Sequence, residues 1–228
     1  MFKFLNRLRY KGWDYYYFRT QDYLIGFSIA DVLGVGGGLF CIYNTKTHEM
    51  EVQENEESLD FKLAPNSASV DVTGEFHGKR VNLKFDKRDL EVHYESEGVK
   101  FNGTFHIHYE AERHDAVTTI VPMTPDERYF FFATKKPGLG FRGNFTYKGV
   151  DYETELDGVP HNIALGFHDH GRGAWPYFSG WIWGSFITEW EGHRLGLNFG
   201  YGFSDPKAAK CTEDALYFDG QVHKLGLV

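Results

Sequence analysis

Short segments in which apolar and polar residues alternate recur along the whole chain, with turn residues between them. A period of two is typical of half-buried β-strands, and no segment of useful length has the helical period of 3.6. The clearest strand candidates are residues 13–19, 23–32, 81–85, 90–94 and 101–109. Connections as short as these join antiparallel neighbours. The sequence therefore predicts an all-β, antiparallel protein.

The number of predicted strands constrains the architecture further. About fourteen strands are more than an open twisted sheet holds without closing or splitting. Two prolines in residues 121–127 force a loop, which predicts a boundary between an N-terminal β half (1–121) and a C-terminal β half (122–228); the alternative is one continuous domain. The last predicted strand, 222–228, has no polar tail. We expect that it closes the sheet or that the natural domain continues beyond it.

Three segments carry local expectations. Strand 23–32 has a small face made by Gly26, Ser28 and Ala30, which predicts the close approach of another sheet or of a ligand. The glycine-rich segment 34–38 lacks the GK[ST] of a phosphate loop and is interpreted as a flexible hairpin or bulge. The acidic run 49–57 is interpreted as a solvated edge or loop.

Charge and composition exclude several classes of function. The 228 residues have a net charge of −8 and no run of Lys or Arg longer than two. Nucleic acid is therefore not expected as a partner. The two cysteines lie far apart with no CxxC spacing, which argues against a zinc ribbon or disulfide scaffold. Neither a signal peptide nor an apolar run of roughly twenty residues is recognisable, so we expect a cytoplasmic protein without a transmembrane segment.

Residues 166–184, GFHDHGRGAWPYFSGWIWG, contain an acid, two histidines, an arginine, three tryptophans and five glycines. Nowhere else in the chain do groups able to move protons lie so close to bulky aromatic side chains. If 167–170 is extended, His168 and His170 share one face and Asp169 points to the other. This stretch is the candidate site.

Asp169 is the candidate acid in this stretch. The alternation points Asp169 toward a pocket walled by Trp175, Trp181 and Trp183. A carboxyl group desolvated by aromatic walls stays protonated and can donate a proton. Trp181 and Trp183 are two residues apart, so both indoles could flank a cationic intermediate. The set predicts acid chemistry on an apolar substrate, for which no organic cofactor is needed.

The same residues also fit a structural interpretation. Asp169 and Arg172 are three residues apart across Gly171, and a salt bridge between them would fix a turn. Tryptophans in a β protein usually belong to the core. This alternative stays open at the level of the sequence.

A metal site is the remaining alternative for the histidines. His168 and His170 would need a third ligand from elsewhere, such as His161 or His106, because the intervening carboxylate is turned away. His106 and His108 also share a strand face, but a solvent-facing or hydrogen-bonded pair is favoured there. We therefore predict no metal.

Several longer motifs resemble a known family. In order along residues 15–228 they are GFSIADV, GFHDHGRGAWP, W-x-WGS, GHRLGLNFGYG, the Glu213-Asp-Ala-Leu-Tyr-Phe stretch and DGQVHKL. Their order and spacing resemble the uncharacterised family catalogued as domain of unknown function 2804, which has no assigned activity to carry over.

More distantly, residues 166–170 followed by Trp181-x-Trp183-Gly184 are similar to the motif of carotenoid hydratases, whose kin include tocopherol cyclase. These are calycin-like (lipocalin-like) β proteins that act on lipophilic substrates. The resemblance implies that Asp169 protonates an alkene, with His168 and His170 supporting it. The hydratases carry Asn-Trp-Gly after the second histidine, where this chain has Gly171-Arg172-Gly173.

These observations lead to one fold and three functional hypotheses. The expected fold is an all-β, antiparallel, calycin-like pair of barrels or packed sheets that meet near residues 122–125. The first hypothesis is a protein that binds a hydrophobic small molecule in a β-barrel pocket, with acid-catalysed hydratase, cyclase or isomerase activity. Its site residues are Asp169, His168 and His170, with Arg172, Trp175, Trp181 and Trp183 binding the ligand. The second is a lipid-binding protein without chemistry, and the third is a structural role. The sequence does not indicate an oligomeric state.

Overall fold

A computed structural model describes residues 9–64, 71–108, 115–122, 129–156, 164–174, 180–202 and 213–226. These residues form seventeen β-strands in two antiparallel sheets and contain no helix, which confirms the predicted all-β class. Accordingly, no described helix could cross a membrane. The strands are β1 (Tyr10–Arg19), β2 (Tyr23–Val32), β3 (Val35–Asn44), β4 (Glu49–Ser58), β5 (Phe61–Leu63), β6 (Val72–His77), β7 (Val81–Lys87), β8 (Asp89–Ser96), β9 (Val99–His108), β10 (Val117–Pro122), β11 (Phe130–Tyr147), β12 (Val150–Glu153), β13 (Ala164–Ala174), β14 (Ile182–Trp190), β15 (His193–Tyr201), β16 (Ala215–Phe218) and β17 (Gln221–Lys224).

The larger sheet has the order β4-β3-β2-β1-β13-β11-β9-β8-β7-β6-β5, with β10 and β12 also paired to β11. It curls into a nearly closed barrel. Glu56 on β4 reaches across the gap and accepts hydrogen bonds from the backbone N–H groups of Arg80 and Val81, at 3.0 and 2.9 Å from its Oε2. These contacts link β4, at one end of the sheet order, to the start of β7 near the other end.

Aromatic rings fill the interior of this barrel. Phe18 packs against Phe105 and Phe141 with centroid distances of 4.8 and 4.9 Å, and Tyr16 packs edge-on against Phe85 at 5.2 Å. All five side chains are buried. Close packing of this kind leaves no chamber for a ligand among them. We expected a ligand pocket inside the barrel. The apolar cavity that Asp169 lines lies instead outside the barrel wall.

The smaller sheet, with the order β14-β15-β16-β17, packs on the outer surface of the barrel. Ile187 of this sheet joins Tyr17, Leu165 and Phe167 of the barrel in one buried apolar cluster. The Tyr17 hydroxyl lies 2.9 Å from Ser185 Oγ, which links β1 to β14. The two sheets thus share an apolar interface beside β13.

Two segments of the N-terminal half differ from their predictions. Residues 36–38 are part of β3 and not a hairpin; only Leu33 and Gly34 form the turn, with φ values of 61° and 89°. Gly36 and Gly38 lie under the rings of Phe61 and Phe76, where a Cβ would overlap the ring. The acidic run is an edge strand, β4, so the edge was predicted correctly and the loop alternative is wrong.

In the C-terminal half, residues 138–143 contain three glycines, which are typical of a turn, but β11 continues through them. Its pairing with β13 shifts register between Pro137 and Leu139, where Gly138 has a φ of 74°. One glycine in a left-handed conformation makes a bulge here and does not end the strand. The larger sheet takes strands from both sides of residue 121, and the division into two halves stays a prediction.

Candidate functional site

Strand β13 lies between β1 and β11 and divides the candidate site into two faces. Because the strand is extended, His168, His170 and Arg172 point into the barrel, and Asp169 points outward. In the register, Asp169 is paired with both Tyr15 and Lys135, and His170 with Asp14 and Thr134. The alternation predicted from the sequence thus describes the local geometry.

The inner face is organised around Asp14, which is fully buried. Its Oδ1 lies 2.8 Å from His168 Nε2 and 2.9 Å from His170 Nδ1, and its Oδ2 accepts a hydrogen bond of 2.6 Å from Arg172 Nη2. Arg172 also donates to the carbonyl oxygens of Trp13 and Ala64, at 2.6 and 2.9 Å. We call Asp14, His168, His170 and Arg172 the inner cluster.

Burial and pairing set the charges of the inner cluster. Burial alone would raise the pKa of Asp14, but hydrogen bonds with His168 and His170 and the guanidinium of Arg172 hold that pKa below its usual range. Burial lowers the pKa of His168 to about 4, against the opposing effect of Asp14. Burial also lowers the pKa of Lys136, the neighbour of His168 on β11, to about 8. The inner cluster therefore contains an ionised Asp14 and a neutral His168 at neutral pH.

The inner cluster contains groups that bind metals, since atoms of Asp14, His168 and His170 lie within 4.8 Å of one another. Two cations of the chain compete with a metal ion there. Arg172 already binds the second oxygen of Asp14, and the buried Lys136 adds a further positive charge nearby. Hydrogen bonds satisfy the carboxylate without an ion. The absence of a metal stays a prediction.

Of the two distant histidines proposed as a third ligand, the structure describes only His106, which does not have that role. His106 is exposed, with Nδ1 2.7 Å from Asp89 Oδ1, and His161 lies outside the described residues. The acid that joins His168 and His170 is Asp14, which the sequence analysis missed.

Asp169 faces a cavity of about 440 Å³ between the barrel wall and the smaller sheet. We call it the outer cavity. Its walls are mainly apolar and aromatic, and the small face of β2 predicted to lie against another sheet or a ligand contributes Ser28 and Ala30. Its lining residues are Lys11, Trp13, Tyr15, Ser28, Ala30, Val32, Leu39, Phe131, Lys135, Asp169, Trp181, Trp183 and Glu213.

A second cluster of charges lies at the outer cavity. Lys135 Nζ is 2.7 Å from Asp169 Oδ1 and 3.3 Å from Glu213 Oε2. The exposed fractions of these three side chains are 3%, 8% and 7%. Burial raises the pKa of Glu213, with Lys135 acting in the opposite direction. We call Lys135, Asp169 and Glu213 the outer cluster.

Hydrogen bonds hold the wall of the outer cavity in place. Trp183 Nε1 donates to Asn198 Oδ1 at 2.8 Å, and Asn198 Nδ2 donates to the carbonyl oxygen of Glu213 at 2.8 Å. Asn198 is fully buried. The Lys135 ammonium lies 5.0 Å from the centroid of the Trp183 ring. One face of this indole is thus already occupied by a cation, which differs from the predicted cage of two indoles around an intermediate.

The structure brings together some of the predicted site residues and separates others. Asp169, Trp181 and Trp183 all line the outer cavity. Arg172 does not; it lies on the opposite face of β13 and binds Asp14, so the alternative Asp169–Arg172 salt bridge at a turn is wrong. His168 and His170 are on that inner face too. Trp175 lies outside the described residues.

Sequence reasoning missed three charged residues of the site: Asp14, Lys135 and Glu213. Asp14 is the one acid in the aromatic run WDYYYF, and Lys135 ends the apolar segment YFFFATK. A charge inside such a segment is a signal for a buried ion pair. Glu213 begins the motif EDALYF, which carried part of the family resemblance, but nothing in the motif indicated a site residue.

Fold and site together define a calycin-like all-β protein with an apolar cavity and buried charges against its barrel wall. The chain belongs to the family described as domain of unknown function (DUF2804), whose model matches residues 3–228. No curated protein matches it.

Two solved structures share the fold. An AttH-like protein from Nitrosomonas europaea has a TM-score of 0.53 and 12% identity, and the match covers 96% of this chain and 68% of that one. Kievitone hydratase from Nectria haematococca has a TM-score of 0.51 and 14% identity, with 93% and 63% covered. At these identities the likeness is one of fold alone.

Proposed function

We propose that the protein binds a lipophilic small molecule in the outer cavity and transfers a proton to it or from it, in a reaction of the hydratase, cyclase or isomerase type. The observation that carries this proposal is the outer cluster, in which two carboxyl groups and one ammonium are buried at an apolar cavity of about 440 Å³. Cavities of a few hundred Å³ with a few convergent polar groups are typical of small-molecule sites.

The walls of the cavity favour an apolar ligand. Trp13 and Phe131 stack with a centroid distance of 6.0 Å, and Trp183 meets Tyr15 edge-on at 6.0 Å. The ammonium of Lys135 is engaged by carboxylates of the chain and does not call for an anionic ligand. Recognition therefore rests on shape and on contact with aromatic faces.

The outer cluster supplies the groups that an acid–base reaction needs. A carboxylic acid shielded from water can donate its proton to a carbon of an alkene, and water then adds to the neighbouring cationic carbon and returns a proton to the carboxylate. The balance is alkene plus water to alcohol, which requires no redox cofactor. The shared fold with a hydratase supports this type of reaction.

Ligand binding can be tested by filling the outer cavity. Ala30→Trp places an indole in the cavity, whereas Ile120→Trp places one on an exposed position of β10 and is the matched control. With N-phenyl-1-naphthylamine, a neutral fluorescent probe, we expect the first variant to abolish saturable binding and the second to bind like the wild type. Unchanged binding by Ala30→Trp would show that the cavity is not the site.

Catalysis is tested separately by Asp169→Asn. A panel of lipophilic alkenes is incubated with the protein in ¹⁸O-labelled water, and products that have gained one labelled water are measured by mass spectrometry. We expect Asp169→Asn to lose this activity while it binds the probe like the wild type. If the wild type binds the probe but converts no alkene, the alternative of a lipid-binding protein without chemistry is favoured.

A further inference from the structure

We infer that Glu213 holds the proton of the outer cluster and is the acid of the reaction, whereas Asp169 makes the closer ion pair with Lys135. This inference rests on the proposed function of the outer cavity and departs from the role that the motif implies for Asp169. It assigns the acid to a residue that precedes β16 of the smaller sheet.

The outer cluster contains more acidic groups than basic ones. Two carboxyl groups share one ammonium, and all three side chains are nearly inaccessible to water. If both carboxyl groups were ionised, the cluster would carry a net negative charge inside apolar walls. Two carboxylates that share a buried site retain one proton between them, because desolvation and mutual repulsion both disfavour the second ionisation.

The two carboxyl groups differ in their contact with Lys135. Lys135 Nζ is 2.7 Å from Asp169 and 3.3 Å from Glu213, so the ammonium makes the closer contact with Asp169 and compensates a charge on Glu213 less well. The pKa of Glu213 is raised by burial and, further, by the charges of Asp169 and Asp214, against the opposing effect of Lys135.

The surrounding titratable groups do not alter this balance. Burial raises the pKa of Tyr15 and of Tyr217 above the usual tyrosine range, so neither hydroxyl ionises at neutral pH. Lys11 also lines the cavity, but the charges that act on the Glu213 carboxyl group are those of Lys135, Asp169 and Asp214. The groups that face the cluster are Lys11 and Tyr15 from β1, Lys135 from β11, Asp169 from β13, Asp214 beside Glu213, and Tyr217 from β16.

Glu213 is held in position by its neighbours. Asn198 binds its carbonyl oxygen and also binds the indole of Trp183, so the acid and the cavity wall are fixed by one buried side chain. The Glu213 side chain lies across Gly200 of β15, where a Cβ would overlap the carboxylate. A positioned acid facing an apolar cavity is what general acid catalysis requires.

In the reaction, the Glu213 O–H bond breaks and its proton forms the new C–H bond of the substrate. The carboxylate that remains lies beside the Lys135 ammonium, which stabilises it. Water then forms the C–O bond and returns its proton to Glu213. Asp169 keeps Lys135 in place throughout.

The inference can be tested without a substrate, by infrared spectroscopy of the carboxyl C=O stretch at neutral pH. We expect the wild type to show a band of a protonated carboxylic acid that shifts when glutamate is labelled with ¹³C in its side-chain carboxyl group. Labelling aspartate in the same way should leave the band in place. Glu213→Gln should remove the band, and Asp89→Asn, which alters an exposed acid of the barrel, should retain it.

A band that shifts with labelled aspartate, or no band of a protonated acid at all, would overturn the inference. The labelling results decide this in the wild-type protein, whether or not Glu213→Gln folds. As a second variant, Gly200→Ala displaces the Glu213 carboxyl group and should shift the band. Because the spectrum needs no ligand, a protein that binds nothing in the cavity would contradict the proposed function and leave the assignment of the proton intact.

Discussion

The two faces of β13 carry similar residues in opposite situations. On the inner face, one carboxylate, Asp14, accepts hydrogen bonds from three side chains of β13 in the filled interior of the barrel. On the outer face, two carboxyl groups share Lys135 beside a cavity. A buried carboxylate with enough hydrogen-bond donors stabilises one structure. A buried carboxyl group with too few such partners retains a proton, which it can transfer. We therefore expect the inner face to stabilise the fold and the outer face to carry the proposed chemistry.

The largest effect is expected from Asp14→Ala. Removing the carboxylate leaves Arg172 buried without its anion, and breaking a buried pair in this way costs about 3–5 kcal/mol. We expect the free energy of unfolding in urea to fall by that amount. Asp89→Ala, which removes an exposed acid paired with a histidine, is the control and should change it by less than about 1 kcal/mol. Equal effects of the two substitutions would remove the distinction between the inner cluster and the surface.

The next effect is the pH dependence of stability from His168. Its pKa is lowered from 6.5 to about 4 in the folded protein, so between these values the unfolded chain binds more protons. Stability therefore falls as the pH is lowered from 6.5 to 4, by up to about 1.4 kcal/mol per pH unit from this group. His168→Gln should flatten the slope in this window relative to the wild type. An unchanged slope would mean that His168 is not a buried neutral base.

A smaller effect is expected from Lys135→Met on the outer face. The two carboxyl groups left behind can take up one further proton in place of the lost ammonium charge, which limits the loss to roughly 1–3 kcal/mol. We expect a decrease in the free energy of unfolding at neutral pH that diminishes as the pH is lowered. A loss as large as that of Asp14→Ala, with no dependence on pH, would contradict the view that the outer cluster adjusts by protonation.

The smallest effect is expected from Asn198→Ala. This substitution removes the hydrogen bonds to Trp183 and to the carbonyl oxygen of Glu213, each of which contributes about 1 kcal/mol. Loss of a fixed Trp183 should weaken binding of N-phenyl-1-naphthylamine roughly fivefold, since about 1.4 kcal/mol corresponds to a factor of ten. Asn102→Ala, at an exposed position of β9, should bind like the wild type; a matching loss there would exclude a specific role for Asn198.

Strand alternation predicted the fold class and the orientation of residues 168–170, because both depend on a period of two within one strand. It did not reveal that β11 passes through Gly138, since a bulge and a turn have the same local signal. Alternation also did not reveal which residues pair with those of the site. The register of strands far apart in the chain places Asp14 opposite His170 and Lys135 opposite Asp169. Glu213 reaches Lys135 through the packing of the second sheet.

The most direct measurement of the central distinction is nuclear magnetic resonance of the protein titrated with N-phenyl-1-naphthylamine. The account predicts saturable shifts of the indole N–H signals of Trp181 and Trp183 on the outer face, while the imidazole signals of His168 and His170 on the inner face stay unchanged. Shifts of the two histidines without shifts of the two tryptophans would place the ligand inside the barrel and contradict the account.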